Sequence, residues 1–311
     1  MTGRRSGGTR LPDDVRGGTP ESPCLITPEL LRRWALPVPT GSKYNRGQAV
    51  VVGGAAATPG AAMLAGHAAL RMGAGRLTLA VARSVAPHVA VAFPESAAHG
   101  LPENEDGSVT GERATEILGK DVANADGLLV GPGLDDPDGT IRLLEELATV
   151  VPRRLPVVLD AFGLTVMADV SKECREAFAD NLLATPNSNE LARLVGEDSI
   201  EPEAVPAAAR EVAERFGAVV SSNSWIVSVD DAWRVTTGDT GLGTSGSGDV
   251  LAGAVLGLVS RGAPREQALA WATHVHAAAG DVLAARFGRI GFLAGELLPE
   301  LPQVMSALRG D

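Results

Sequence analysis

The run Gly241-Leu242-Gly243-Thr244-Ser245-Gly246-Ser247-Gly248-Asp249 holds four glycines within eight residues, with an aspartate directly after the last. An apolar, alanine-rich stretch follows through Val259 and reads as a helix. The first turn of a helix leaves backbone N–H groups without partners and carries partial positive charge. Glycines let such a backbone approach an anion closely. An aspartate held there is placed to accept a proton from a hydroxyl beside a bound phosphate. The segment therefore reads as a phosphoryl-transfer site with its own general base. A glycine-rich loop before a helix is also a common tight turn, and aspartate a common cap. The Gly-Ser-Gly-Asp ending and the small-residue helix behind it favour the chemical reading. No Lys-Ser/Thr pair follows the last glycine, so this is not a Walker A loop. A protein-kinase set is absent too, since no lysine-bearing strand or His-Arg-Asp loop is found.

Further polar residues cluster at strand-like ends. Short continuous apolar runs alternate with helical patterns. Strands are expected at 49–52, 77–81, 128–131, 157–159, 182–184 and 218–220. Helices are expected at 27–36, 60–72, 85–91, 140–150, 189–194, 207–216 and 249–260, with one or two more over 265–287. Segments 225–229 and 233–236 read as a hairpin around Asp230-Asp231. This alternation predicts a mostly parallel sheet covered on both faces. In such sheets ligands bind beyond the carboxyl ends of the strands. There the sequence places Gly53-Gly54, Gly131-Pro132-Gly133, Asp160, Thr185-Pro186-Asn187 with Glu190, and the glycine loop. Five such features at successive strand ends point to one shared crevice. Asp160 could cap a helix or reach a magnesium-bound water. The Asn187-x-x-Glu190 spacing could serve a Mg²⁺–phosphate cluster or be an ordinary cap. Lys43 and Arg46 could meet an anionic substrate or be plain solvated cations. His276, in an expected helix, reads as structural.

Bulk properties set the outer limits. The chain has 311 residues, 45% of them hydrophobic, and a formal net charge of −11. That charge argues against non-specific nucleic-acid binding and against an anionic membrane surface. Two cysteines, Cys24 and Cys174, support neither a disulfide framework nor a metal cluster. No apolar signal region or membrane-length run is visible, so a cytoplasmic protein is expected. Residues 1–24, rich in Gly, Arg, Pro and Asp, are expected to be a disordered tail, with a single domain over 25–311.

Together these segments resemble the NAD(P)H-hydrate dehydratases of the ribokinase-like superfamily. The resemblance runs from about Thr27 to Leu301. It rests on Gly53-Gly54, Pro59-Gly60-Ala61-Ala62, Ala68-Ala69-Leu70-Arg71-Met72-Gly73-Ala74-Gly75, Gly131-Pro132-Gly133-Leu134, Val158-Leu159-Asp160-Ala161, Thr185-Pro186 with Glu190, and Gly246-Ser247-Gly248-Asp249-Val250-Leu251-Ala252-Gly253. It implies a ribokinase-like three-layer α/β/α sandwich with a mostly parallel central sheet. The implied substrate is NADHX or NADPHX, the hydrated form of the reduced nicotinamide cofactor. ADP or ATP would phosphorylate the ring hydroxyl, with Mg²⁺ at the phosphates, and phosphate loss would restore NAD(P)H. Asp249 would be the base. Ala61, Gly133, Asn187 and Asp249 would line the substrate site. Ser221, Ser222, Gly243, Ser245, Gly246, Ser247 and Gly248 would hold the nucleotide phosphates, and Glu190 the metal, directly or through water. A homo-oligomer is implied as well. Bifunctional members carry an N-terminal epimerase domain, for which no room is expected here.

Three departures from the family pattern stand out. Asn187 replaces a histidine, Ser221-Ser222-Asn223 occupies the place of a Lys-Gly pair, and Asp135 replaces a glycine. A small-molecule kinase acting on a vitamin precursor or sugar alcohol, and a nucleotide-binding protein without turnover, are the alternative readings.

Overall fold

The structure, a computed structural model, describes residues 11–38, 41–238 and 240–309. The strand β1 (Cys24–Ile26) and helix α1 (Pro28–Arg33) lead into β2 (Gln48–Val52), α2 (Pro59–Arg71), β3 (Arg76–Ala82), α3 (Ala86–Ala92) and β4 (Ala97–Leu101). Then come α4 (Ala114–Ala123), β5 (Gly127–Val130), α5 (Pro137–Ala148), β6 (Val157–Leu159), α6 (Ala161–Thr165), α7 (Lys172–Phe178), β7 (Leu182–Ala184), α8 (Ser188–Val195) and α9 (Val205–Phe216). The last elements are β8 (Val219–Ser222), β9 (Trp225–Val227), β10 (Ala232–Val235), α10 (Ser247–Ser260), α11 (Arg265–Phe287) and α12 (Ala294–Arg309).

The strands form one sheet in the order β1-β10-β9-β8-β7-β6-β5-β2-β3-β4. Only β9 runs against its neighbours, β8 and β10. The central strands are apolar on both faces, and their side chains divide by alternation. Ala49, Val51, Leu129, Val158 and Leu183 point into a core shared with α1, α2, α10, α11 and α12. Val50, Val52, Leu128, Val130, Val157 and Leu159 point into the opposite core, built with α4 to α9. The expected three-layer arrangement is therefore present.

Helix α10 is buried along most of its length and lies directly on α2. That approach needs small residues. A Cβ on Gly253 would stand 2.1 Å from the Ala65 carbonyl oxygen, and one on Gly257 2.4 Å from that of Ala69. The alanine-rich faces of both helices serve the same contact.

The expected disordered tail is corrected from residue 11 onward. Val15 is 1% exposed, and its carbonyl accepts a hydrogen bond of 3.1 Å from Trp233 Nε1. Gly18 bridges to Ala232, and β1 pairs in parallel with β10. Polar composition hid these contacts because the segment contributes backbone pairing and few apolar side chains. The part of that expectation covering residues 1–10 lies outside the described residues. Strand β4 and helices α4, α7 and α12 were not expected either. Their strand or helix patterns are short or carry charged residues and, in α12, the internal Pro299 and Pro302. The 265–287 stretch is a single helix.

Candidate active site

The glycine loop sits where the sequence places it, at the start of α10. Gly246 caps the helix with φ 89°, a left-handed conformation that suits glycine. Asp249 stands in the first turn. A Cβ on Gly248 would meet nothing within 4 Å, so the loop backbone is open there. The turn is held from α11. His276 Nε2 lies 3.0 Å from Ser247 Oγ and 3.1 Å from the Ser247 carbonyl oxygen. A carbonyl only accepts, so Nε2 carries the proton. Burial lowers His276 to about 4, which keeps the ring neutral. The structural reading of His276 thus holds, with the side chain also facing the adjoining cavity.

Three carboxylates gather beside this turn. Asp160, at the end of β6, is 5% exposed and accepts a 2.8 Å hydrogen bond from Thr185 Oγ1. It occupies the first cap position of α6 without capping it. Burial, then the charge of Glu190, pushes it up to about 7, with Asp249 adding to the effect and the Thr185 hydrogen bond opposing it. Asp249 rises to about 6 through burial and then the Glu190 charge. Glu190 is itself raised by burial, against its hydrogen bonds to Asn187. Asn187 and Glu190 form a reciprocal cap on α8: Glu190 Oε2 accepts from the Asn187 amide at 2.9 Å, and Asn187 Oδ1 accepts from the amides of Asn189 and Glu190. The ordinary capping geometry is therefore real, and it fixes both side chains at the site. Among the described residues no group of three or more His, Cys, Asp or Glu forms a ready metal cage.

A cavity of about 350 Å³ opens on one side of the α10 tip. Of the residues expected at the phosphates, Ser221, Ser222, Ser247 and Gly248 line it, as does Asn187. Gly243, Ser245 and Gly246 do not line it. Ser221 Oγ is 2.8 Å from Thr273 Oγ1 of α11. Ser222 Oγ and Thr237 Oγ1 are buried there without a hydrogen-bond partner. Asn223 Nδ2 donates to Ser188 Oγ at 2.6 Å, closing the turn after β8.

Asp249, Glu190, Ala61 and Gly133 do not line this cavity. Ala61 and Gly133 come together on the α2 side of the tip, where a Cβ on Gly133 would stand 3.1 Å from Ala61 Cβ. The loops there are knitted by Gly54 N–H to Pro132 O (2.8 Å), Ala55 N–H to Gly133 O (2.7 Å) and Thr58 Oγ1 to Gly133 O (2.7 Å). Gly246 faces the same side, since a Cβ on it would meet Leu64 Cδ1 at 2.6 Å. The tip of α10 therefore divides two regions. One carries Ser221, Ser222 and Gly248, and the other carries Ala61 and Gly133.

Of the two readings of Lys43 and Arg46, contact with the substrate at this site finds no support. They precede β2 and so lie at the amino ends of the strands, away from the site. The Lys43 ammonium stands over the Tyr44 ring at 5.6 Å, and Arg46 lines a different concavity. Asp135 is exposed. Thr237 and Thr273 were missed by sequence reasoning. For Thr273 a signal existed, since it precedes His276 by three residues and so shares its helix face.

Fold and loop together define a ribokinase-like α/β protein. A solved ribokinase-like superfamily protein from Enterococcus faecalis superposes with a TM-score of 0.76 at 21% identity, covering 93% of this chain and 97% of that one. An ADP/ATP-dependent NAD(P)H-hydrate dehydratase from Bacillus subtilis, co-crystallised with ATP and Mg²⁺, gives 0.72 at 24% identity, with 92% and 98% covered. The family model for NAD(P)H-hydrate dehydratase matches residues 49–303, and the chain belongs to that family. An ADP-dependent (S)-NAD(P)H-hydrate dehydratase from Xanthomonas campestris is 40% identical over 289 residues, 91% of this chain and 96% of the relative. The chain spans about half the length of the bifunctional NAD(P)H-hydrate repair enzymes that it also matches, 52% in the relative from Moorella thermoacetica.

Proposed function

We propose that this protein is an ADP- or ATP-dependent dehydratase acting on the S-epimer of NADHX and NADPHX, a carbon–oxygen lyase of metabolite repair. The observation that carries the reading is Asp249 in the first turn of α10, behind an open glycine loop and beside a cavity of nucleotide-binding size. The nucleotide would lie on the Ser221–Ser222 side with its terminal phosphate at the amides of Gly246 and Gly248, since the Ser247 N–H already donates to the Thr244 carbonyl. The hydrated ring would lie on the Ala61–Gly133 side, with Asn187 at the boundary.

The chemistry needs few groups. Asp249 takes the proton of the ring hydroxyl as its oxygen accepts the phosphoryl group. The helix amides hold the transferring oxygens, and positioning supplies most of the rate. The ring nitrogen then drives out phosphate, a neighbouring carbon loses a proton, and the double bond returns. ADP would yield AMP and phosphate, and ATP would yield ADP and phosphate. The carboxylates suit a magnesium ion, which characteristically takes one or two carboxylates plus substrate phosphates and keeps several waters. Glu190 and Asp160 would hold it, directly or through water, and it would neutralise charge on the phosphates. Burial raises both Asp160 and Asp249, and the Glu190 charge adds to each, so a cation held there would relieve that repulsion.

We further infer one catalytic unit that includes the segment from about residue 11, a homo-oligomer, and a cytoplasmic setting. Among the described residues no helix is long and apolar enough to cross a membrane. Incubation with NADHX, Mg²⁺ and either ADP or ATP tests the reading. Regain of reduced-nicotinamide absorbance, with matching AMP or ADP and phosphate, supports it. A stable phosphorylated product from another alcohol would instead establish the kinase alternative.

A further inference from the structure

We propose that the concavity at the far end of α10 is a second anion site, separate from the nucleotide cavity, which takes a compact polyphosphate group. It is lined by Arg46 before β2, Arg71 at the end of α2, Arg261 just after α10 and Arg309 at the end of α12, with Gly73 and Met305 between them. The space is about 450 Å³. Helix α10 has 14 residues, so roughly 20 Å separates its two ends. The site therefore does not merge with the phosphate loop.

Charge points to an anion. The chain carries a net −11, yet four arginines share this hollow. Among the described residues none of the four forms a salt bridge with a carboxylate. Arg261 is 8% exposed, and its Nη1 and Nη2 donate to the carbonyls of Met72 at 3.2 Å and Pro37 at 2.7 Å. Its Nε and Arg309 Nη2 are buried with no acceptor. Gly73 makes room for the guanidinium, since a Cβ there would stand 3.1 Å from Arg261 Nη1. Burial, then the like charges of Arg309 and Arg46, lowers Arg261 to about 10, which still leaves it charged at neutral pH. Natural proteins rarely leave a buried cation such as Arg261 crowded by like charges and without a counter-charge.

The residue types select the ligand class. Guanidinium forks match phosphate oxygens two at a time. No aromatic ring lines the hollow among the described residues, so there is no platform for a nucleobase. Several phosphates close together satisfy four arginines better than one does. The phosphates of a nucleotide and free polyphosphate share this chemistry.

Titration of the full chain with inorganic tripolyphosphate, and separately with ADP, tests the proposal. The salt is held near physiological strength so that surface charges are screened. The wild type is expected to bind tripolyphosphate at a site that ADP at the loop does not displace. Arg46→Ala with Arg309→Ala is expected to weaken that binding by at least about tenfold and to leave the first equivalent of ADP unchanged. Arg71→Ala, at an exposed position, gives an independent variant with the same direction. A second equivalent of ADP lost in these variants would assign the phosphates to a nucleotide. Binding of tripolyphosphate alone would assign them to free polyphosphate. Equal tripolyphosphate affinity in wild type and variants, or complete displacement by one equivalent of ADP, overturns the proposal.

Discussion

Asp249 has two tasks that pull its acidity in opposite directions. A proton acceptor must be ionised at the working pH, yet burial and the neighbouring Glu190 raise it to about 6. That value leaves it mostly ionised at neutral pH and basic enough to take a proton. Asp249→Asn is expected to lower kcat by about 10²–10⁴-fold while circular dichroism stays native; near-wild-type turnover would end the base assignment. Asp160 carries the larger elevation, to about 7. Its folded value lies above its unfolded one, so the folded state binds the extra proton. The resulting penalty is absent below about pH 4, grows as pH rises through the interval, and is complete above about 7. Asp160→Asn keeps an oxygen for Thr185 and removes the charge. Its Tm is expected to exceed the wild type's at pH 8, with the gap closing toward pH 4. A gap independent of pH would show that Asp160 is not the titrating group. His276 works oppositely, because its folded value of about 4 lies below the usual 6.5 and its protonation opposes folding in acid. The comparison is therefore made between variant and wild type, in which the histidine contribution cancels.

Helix α10 converts packing into site geometry. Its amino end carries the loop, and its middle is pressed onto α2 through Gly253 and Gly257. Gly253→Val is expected to force the helices apart, costing about 1–3 kcal/mol, and to lower turnover beyond what the fall in Tm explains. A variant destabilised to that extent but fully active below its Tm would show that helix position is not critical. These small residues were legible in the sequence as an alanine-rich run, and so were the central strands, because apolar continuity needs no partner to be seen. The loop and Asp249 were legible for a related reason: glycine spacing is a local backbone signal. Contacts between distant segments were not legible. Nothing in Asn187-x-x-Glu190 separates a cap from a ligand set, and the structure shows a cap that also brings Glu190 close enough to raise two other carboxylates. The spacing to His276 puts Thr273 on the same helix face, but nothing in it points to its partner Ser221, which is 52 residues away.

At the scale of the whole molecule, the sheet is finished at one edge by β1, and the segment before it, whose composition reads as a tail, adds the Val15 and Gly18 contacts. Strand β10 would otherwise present an unpaired edge, and Trp233 a buried indole N–H without its acceptor at Val15. An open edge invites pairing with other chains, and an unsatisfied buried donor costs about 1–3 kcal/mol. Removing residues 1–23 deletes Val15 and the Gly18–Ala232 bridge together. The shortened chain is expected to lose several degrees of Tm and to aggregate more readily on heating. The site lies at the other strands' carboxyl ends, so nucleotide should still protect what folds. At about 100 times its Kd, ADP adds roughly 2.7 kcal/mol to any native state that binds it. The ADP-induced rise in Tm is accordingly expected in the full chain, in the shortened chain and in Asp249→Asn alike, since the loop amides do not depend on the carboxylate. Loss of that rise in Asp249→Asn alone would move Asp249 from proton acceptor to nucleotide ligand. Loss in the shortened chain alone would mean that the Val15 and Gly18 contacts to β10 support the cavity through Thr237, two residues beyond β10.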